Sequence, residues 1–488
     1  MRDETEQETK QKPMKKNISW ACGLQWVHGN DAPIDSITAI MGELAEDIED
    51  ESRLALQQFA SVMVGSRVAV IGGGIYGCHL ALRMLEEGVS VDLFETSDAL
   101  FNGASGYNSF RIHKGYHYPR SEVTRQLCMQ DQQLFLRKYP QFVREPTAGY
   151  PKVFAVAKSD ETKLDYGTLL HIMKGAELPM QKLNPQQLRQ AGYANIEGGF
   201  LVAGEPVLYA DTPRRWFTEQ LKQHGCGLHL NTKVVAIENS PQDSNKAVLG
   251  LAHQGGREGI LSDSIAEANK LKAGGKDDDK APTKSVEYDF VINCTYNQCF
   301  SFHPEGHQCF FDLCLSVIVA TRRSDMPPVP SFGIFDGPFP SLEPYDFETL
   351  PPQYAQYANK QLFQIFHVKL TSIAKYDNFD EAHDAMQRGL PPAQLSLRVE
   401  EILHATEHFY PNLREDFELV GTWLALKTKV KDASDARPLV VARDPQWHER
   451  FYHVFSSKLT SVFHAERALF QKLLQKVKSD SEEEDLHA

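Results

Sequence analysis

From Arg67 to Glu95 the chain switches between two hydrophobic rhythms. Arg67 to Ile71 (RVAVI) is a short apolar run, as in a parallel strand buried on both faces. It stops at Gly72, after which Cys78, Ala81, Leu82 and Leu85 recur at helical spacing until Gly88 ends the helix. A second strand is predicted from Val89 to Phe94, and it delivers Glu95. Further along, the pattern predicts helices over Glu122 to Tyr139, Thr212 to His224, Leu395 to His408 and Phe463 to Val477. Strands are predicted over Leu228 to Glu238, in VEYDFVINCT ending at Thr295, over Phe417 to Val430 and over Tyr452 to Phe455. Residues 309 to 375 have strand character with Pro-rich connections, which predicts an antiparallel sheet, and Ile34 to Met63 has helical periodicity.

The order of these elements predicts an α/β fold, α+β overall, in which a Rossmann-like dinucleotide-binding domain is interleaved with an antiparallel-sheet substrate domain. The nucleotide domain takes residues 65–150, 208–300 and 411–477, and the substrate domain takes 151–207 and 301–410. Residues 1–64 form an N-terminal extension, partly helical, and 478–488 (containing SDSEEED) an acidic, solvated tail. Residues 254–284 include AGGKDDDKAPTK and hold too few apolar positions for a core, so they read as a disordered insertion on a hairpin. The layout places the second domain over the sheet's ligand crevice.

The turn Gly72-Gly73-Gly74-Ile75-Tyr76-Gly77 supplies the chemistry of a dinucleotide site. Gly72 permits the tight turn, Gly74 lets backbone approach a pyrophosphate, and Gly77 lets the helix pack on the strand. The phosphates fall on the helix N-terminus, where free N–H groups and the dipole favour anions. Glu95 stands where a carboxylate hydrogen-bonds a ribose hydroxyl, and its charge disfavours a 2′-phosphate there. The following loop, NGASGYNSFRIHKGYHYPRS from Asn102 to Ser121, offers small residues for close approach and Ser105, Asn108 and Ser109 for hydrogen bonds. A neutral imidazole takes a proton near pH 7, so His113 is a candidate base or donor.

Composition narrows the function classes. A net charge of −14 over 488 residues makes nucleic acid a poor partner, and no apolar run reaches the length of a membrane span. The N-terminus lacks a signal-peptide core, so the chain is placed in the cytoplasm as a soluble enzyme. Eight cysteines in so long a chain fit a reducing compartment. Cys294, Cys299, Cys309 and Cys314 read C-x4-C-x9-C-x4-C, a candidate zinc spacing, but Cys294 ends an apolar strand and Cys314 lies within another strand-like run, where a buried thiol acts as a small hydrophobe; no metal is expected. The run Asp277 to Asp279 reads as solvated charge.

The loop pattern Asn108, Ser109, Ile112, His113, Gly115, Tyr118, Ser121 resembles the D-amino-acid oxidase-like superfamily of FAD-dependent oxidoreductases, in particular its L-2-hydroxyglutarate and glycerol-3-phosphate dehydrogenase-like branches. VFSSKLTSVFHAE (454–466) and VINCT (291–295) resemble two further segments of that superfamily. The resemblance implies FAD as cofactor, with contacts from the glycine turn, Val234 and Val235, Cys294 and Thr295, and Lys458, Leu459 and Thr460. It implies an oxidase or dehydrogenase that removes a hydride from a C–H beside an amine or hydroxyl of a small, anionic amino or hydroxy acid. Arg111 or Arg120 would meet the anion and Tyr118 would line the cavity. Tyr296, and Ser456 with Ser457, stand where the superfamily has glycines, a departure that bears on the fit to FAD. An NAD(P)-linked enzyme, or a flavin-fold protein that binds without catalysis, are the alternative readings.

Overall fold

The computed structural model describes residues 18–19, 25–26, 34–144, 152–202, 204–253, 284–306, 308–324, 331–431 and 438–487. Two sheets organise them. The first has six strands in the order Leu439–Arg443, Phe451–Ser456, Phe290–Asn293, Arg67–Ile71, Ser90–Phe94 and Gly227–His229. All neighbours in it are parallel except the pair at the Leu439–Arg443 edge. Strands from early, middle and late sequence thus meet in one layer, with Arg67–Ile71 near its centre.

Helices cover one face of this sheet. Ile75–Glu86 packs Leu80, Ala81, Leu82 and Met84 into the core, and Val462–His487 adds Leu469, Phe470 and Leu473. Helix Ile34–Val62 joins them through Leu56 and Phe59, with the Phe59 ring 6.4 Å from Phe470 and 5.7 Å from Phe290. This part of the N-terminal extension is therefore integral to the core. The tail continues the last helix to His487, with Lys478, Ser479, Ser481 and Glu482 exposed. Lys476 and Asp480 pair at i,i+4 spacing (2.7 Å), and Arg450 reaches Asp480 at 2.6 Å. The segment 228–238 is two strands, Gly227–His229 and Thr232–Asn239, because Asn231 turns the chain at φ 52°. Strands Ala247–His253 and Lys284–Tyr288 form the expected hairpin, while residues 254–283 lie outside the described ones.

The second sheet has nine strands. Cys309–Thr321 lies at its heart, paired with Leu362–His367, Ser372–Tyr376 and Phe417–Val430. Its neighbours are antiparallel except that Ser331–Phe335 runs parallel to Lys152–Ala157, a pairing that requires the long chain segment between them.

The two faces of this sheet differ in kind. One carries Val153, Phe332, Leu342, Ile365 and Val317, which pair across neighbouring strands and pack against Val399, Ile402 and Leu403 of helix Pro392–Glu407. By the two-residue alternation of a strand, the other face carries Lys152, Ser331, Glu343, Gln364, Ser316 and Trp423. All six are at most 1% exposed. Buried polar side chains on one face of a sheet need partners, and the loop after Glu95 supplies several of them.

Candidate active site

The glycine turn is built as the motif demands. Gly72 has φ +103°, and a Cβ added there would lie 2.8 Å from the backbone oxygen of Cys294. At Gly77 a Cβ would lie 1.9 Å from the carbonyl oxygen of Gly72. Glu95, at the end of its strand, accepts from the Gly73 N–H (2.7 Å) and the Ser97 N–H (2.9 Å), which fixes the carboxylate beside the turn. The Ile75 N–H, at the first helical position, donates to Ser105 Oγ at 3.0 Å. A hydroxyl oxygen thus sits where the helix N-terminus attracts anions.

The C-terminal segment closes on the same helix. The Tyr76 hydroxyl donates to the Lys458 carbonyl at 2.6 Å, which brings backbone 458 against the turn. The Lys458 side chain points away from it: buried, its ammonium lies 2.9 Å from Cys128 Sγ and 3.3 Å from Asp131, which also accepts from Ser461 Oγ (2.6 Å) and lies 3.0 Å from His464 Nδ1. Although burial opposes the ammonium, Asp131 and Cys128 raise its pKa overall. Leu459 and Thr460 form the short 3-10 turn that leads into the last helix.

Tyr296 has φ +58°, the left-handed conformation that a glycine would adopt without strain. Its ring stacks on Phe455 (5.5 Å) and its carbonyl accepts from Thr428 Oγ1 (2.6 Å), contacts that hold the strained backbone. The departure from glycine therefore leaves the backbone path intact. Cys294 and Thr295, which precede it, lie against Gly72, and burial raises the Cys294 thiol pKa. Among the described residues, no cluster of three or more His, Cys, Asp or Glu is arranged to hold a metal ion. Val234 is buried and Val235 is exposed on strand Thr232–Asn239.

FAD fits this cradle. The turn leaves no room for side chains, the ribose acid is in place, and Asn231 Oδ1 and Ser457 Oγ are buried without a protein partner, as groups awaiting a polar ligand would be.

The loop after Glu95 then crosses to the second sheet. Asn108 anchors it through its own turn, donating to the Ser105 carbonyl and accepting from the Phe110 N–H, while its carbonyl accepts from Gln364 Nε2 at 2.9 Å. Ser109 follows it, partly buried. Arg111 passes its guanidinium onto the polar face of the sheet, donating to Glu343 (3.3 Å), Ser331 Oγ (2.6 Å) and the Glu205 carbonyl (2.6 Å). Lys152 bonds the other Glu343 oxygen. Arg120 pairs with Asp336 at 2.8 Å. Both arginines expected to meet an anion are thus committed to acids of the chain. Tyr118 lies 5.8 Å from the Lys458 ammonium, ring to nitrogen.

His113 sits differently, partly exposed and stacked on His117 at 4.5 Å. Its Nδ1 lies 3.6 Å from Oε2 of Glu205, a buried carboxylate whose Oε1 accepts from the Lys114 N–H at 2.8 Å. Gln132 donates to the carbonyls of both Ile112 and Gly204 and so ties the two segments together. Burial alone would raise the Glu205 pKa, but His113, Lys152 and Arg111 more than offset it and hold the carboxyl below its ordinary range. Glu205, Gln364 and Trp423 stand beside the loop after Glu95, and sequence reasoning does not find them. Each owes its position to strand register or to a loop crossing between distant segments.

Residues 67–295 match the family model described as FAD dependent oxidoreductase. The chain is 27% identical over 402 residues to the FAD-dependent monooxygenase FPY4 of Fusarium mangiferae, covering 82% of this chain and 88% of that one. It is 24% identical to the FAD-dependent monooxygenase kojA of Aspergillus flavus, covering 81% and 83%. Among solved structures, glycine oxidase from Geobacillus kaustophilus superposes with a TM-score of 0.57 at 13% identity, covering 84% of this chain and 95% of that one. L-α-glycerophosphate oxidase from Mycoplasma pneumoniae, solved with FAD bound, gives 0.57 at 13%, covering 84% and 94%. With a glycine cradle and a ribose acid in place, the chain is an FAD-dependent oxidoreductase, similar to the D-amino-acid oxidase-like superfamily over residues 67–295.

Proposed function

We propose that this enzyme oxidises a C–H bond beside an amine or hydroxyl of a small molecule, as an oxidase or dehydrogenase, and that His113 accepts the proton which that amine or hydroxyl gives up. The observation that carries the reading is the His113–Glu205 pair, 3.6 Å apart on the loop that links the cofactor cradle to the polar face of the second sheet. Bound FAD supplies the two-electron acceptor for the substrate's C–H hydrogen. The protein's part is to place that C–H and to move the proton.

Glu205 faces Nδ1, which leaves Nε2 of His113 as the nitrogen for substrate. An ionised Glu205 stabilises the imidazolium that forms when Nε2 takes the proton, and its bond from the Lys114 N–H fixes the direction of the pair. His117, stacked on the ring, limits its rotation. Amino and hydroxy acids are the substrates that the loop pattern suggests; among its structural neighbours glycine oxidase is named for an amino acid and glycerophosphate oxidase for a phosphorylated alcohol.

The printed names of the curated relatives, FAD-dependent monooxygenases, support a second reading in which an oxygen atom enters the product. One experiment separates the two. The yellow holoenzyme is mixed with amino acids, hydroxy acids and polyols without air, and turnover is repeated under ¹⁸O₂. Anaerobic bleaching of the flavin by substrate, with no ¹⁸O in the product, supports dehydrogenation. Flavin that stays oxidised without air and a labelled product contradict it.

A further inference from the structure

The polar face of the second sheet leaves two groups unsatisfied. Trp423 is 1% exposed and Gln364 is 0% exposed, yet the indole N–H of Trp423 and the amide oxygen of Gln364 have no hydrogen-bond partner. The Asn108 carbonyl can only accept and takes the Nε2 bond, which turns Oε1 the other way. A buried orphan donor or acceptor is costly, and two on one sheet face point to a ligand that satisfies them.

Both residues abut the same loop. The Trp423 ring lies 5.6 Å from Tyr107 and 5.7 Å from Phe366, and Gln364 holds Asn108. They sit on strands flanking Cys309–Thr321, with Ser316 opposite Trp423 and Ile318 opposite Gln364. The loop separates them from the cradle: Ser105 faces the helix start, whereas Tyr107 and Asn108 face the sheet. An occupant here is substrate rather than the cofactor's phosphates or ribose.

The two orphans are one neutral donor and one neutral acceptor. Cations stand near them as well: Lys427, on the same strand face as Trp423, holds its ammonium 5.4 Å from the Phe366 ring, and Arg214 approaches Tyr107. Resting on the oxidation reading above, we propose that Trp423 Nε1–H and Gln364 Oε1 read the substrate, and that they select a hydroxyl-bearing molecule that presents an acceptor oxygen to the indole and a hydroxyl proton to the amide.

Trp423→Phe tests it, since phenylalanine keeps an aromatic ring beside Tyr107 and Phe366 and removes the indole donor. The probes are glycerol, sorbitol, benzyl alcohol, glycolate and lactate, which carry a hydroxyl, against acetate and alanine, which carry none, read by the visible spectrum of the bound flavin and by thermal shift. The expected result is a response to a hydroxylated probe, weakened roughly tenfold or more in the variant because the ligand oxygen is left unpaired. Without probe, the variant should bind FAD equally well. Gln364→Met should lose the same response. An unchanged probe affinity, a weakened FAD affinity, or a wild type that answers only to acetate and alanine would each overturn the proposal. Flavin that shifts with a hydroxylated probe but is never bleached would instead count against the oxidation reading alone.

Discussion

Gly77→Ala is the sharpest perturbation of the cofactor cradle. The new Cβ would stand 1.9 Å from the Gly72 carbonyl oxygen, well under the 3.0 Å that real Cβ atoms respect. The obstacle is backbone, and that backbone is pinned: the Gly72 N–H donates to Phe94 at 2.8 Å and the Gly73 carbonyl accepts from Phe101 at 2.9 Å. The helix must therefore retreat from the turn by about 1 Å, with an overpacking cost of about 1–3 kcal/mol. Alanine's better helix propensity returns about 1 kcal/mol of this, so the loss of fold stability should be modest. Cofactor affinity suffers more, because the N-terminal N–H groups move away from the phosphates; a loss of about 2 kcal/mol corresponds to roughly thirtyfold in Kd. FAD fluorescence quenching gives the Kd, and thermal unfolding followed by circular dichroism gives the stability. Gly88→Ala is the control: at φ +84° with nothing within 4 Å, it should lower stability and leave FAD affinity unchanged. A Gly77→Ala protein that binds FAD as tightly as wild type would refute this account of the turn.

Three further outcomes follow from the structure. His367 is held at about 4, first by burial and then by Lys369, so the fold prefers it neutral; its contribution is complete above about pH 6.5 and is lost as pH falls toward 4. His367→Asn should flatten that part of the stability–pH curve by about 3 kcal/mol, as denaturant titrations would show; an unchanged slope contradicts it. At Tyr296, glycine should be about 1 kcal/mol more stable than alanine, because alanine keeps the φ +58° strain without the ring; equal midpoints would mean the strain is not real. Glu205→Gln should slow anaerobic flavin reduction roughly a hundredfold at pH 7 and change its pH profile without loss of FAD, whereas a purely structural glutamate would leave the pH profile in place.

How far the sequence reaches depends on how local each feature is. The strand, glycine turn, helix and ribose acid from Arg67 to Glu95 lie within one contiguous segment, and the structure places them as their periodicity predicts. The split of the parallel sheet among distant segments was also legible, because Phe290–Asn293 and Phe451–Ser456 each carry the apolar run of a buried strand. Helix Ile34–Val62 had a visible period but no visible partner, since its contact with the last helix joins the two ends of the chain. Glu205 had no local signal at all: it matters because Gln132 brings Gly204 beside Ile112. Lys152, Glu343, Gln364 and Trp423 acquire a common face only through register across six strands, which no single segment encodes.

The central claim is that His113 carries the proton of the substrate's amine or hydroxyl while the hydrogen on carbon goes to FAD. The most direct measurement is the anaerobic rate of flavin reduction by the best substrate, across pH, in wild type and in His113→Gln. The variant should be slower by roughly two orders of magnitude or more, with the wild-type pH profile changed and FAD still bound. A variant that reduces its flavin at the wild-type rate, with the same pH profile, would contradict the account.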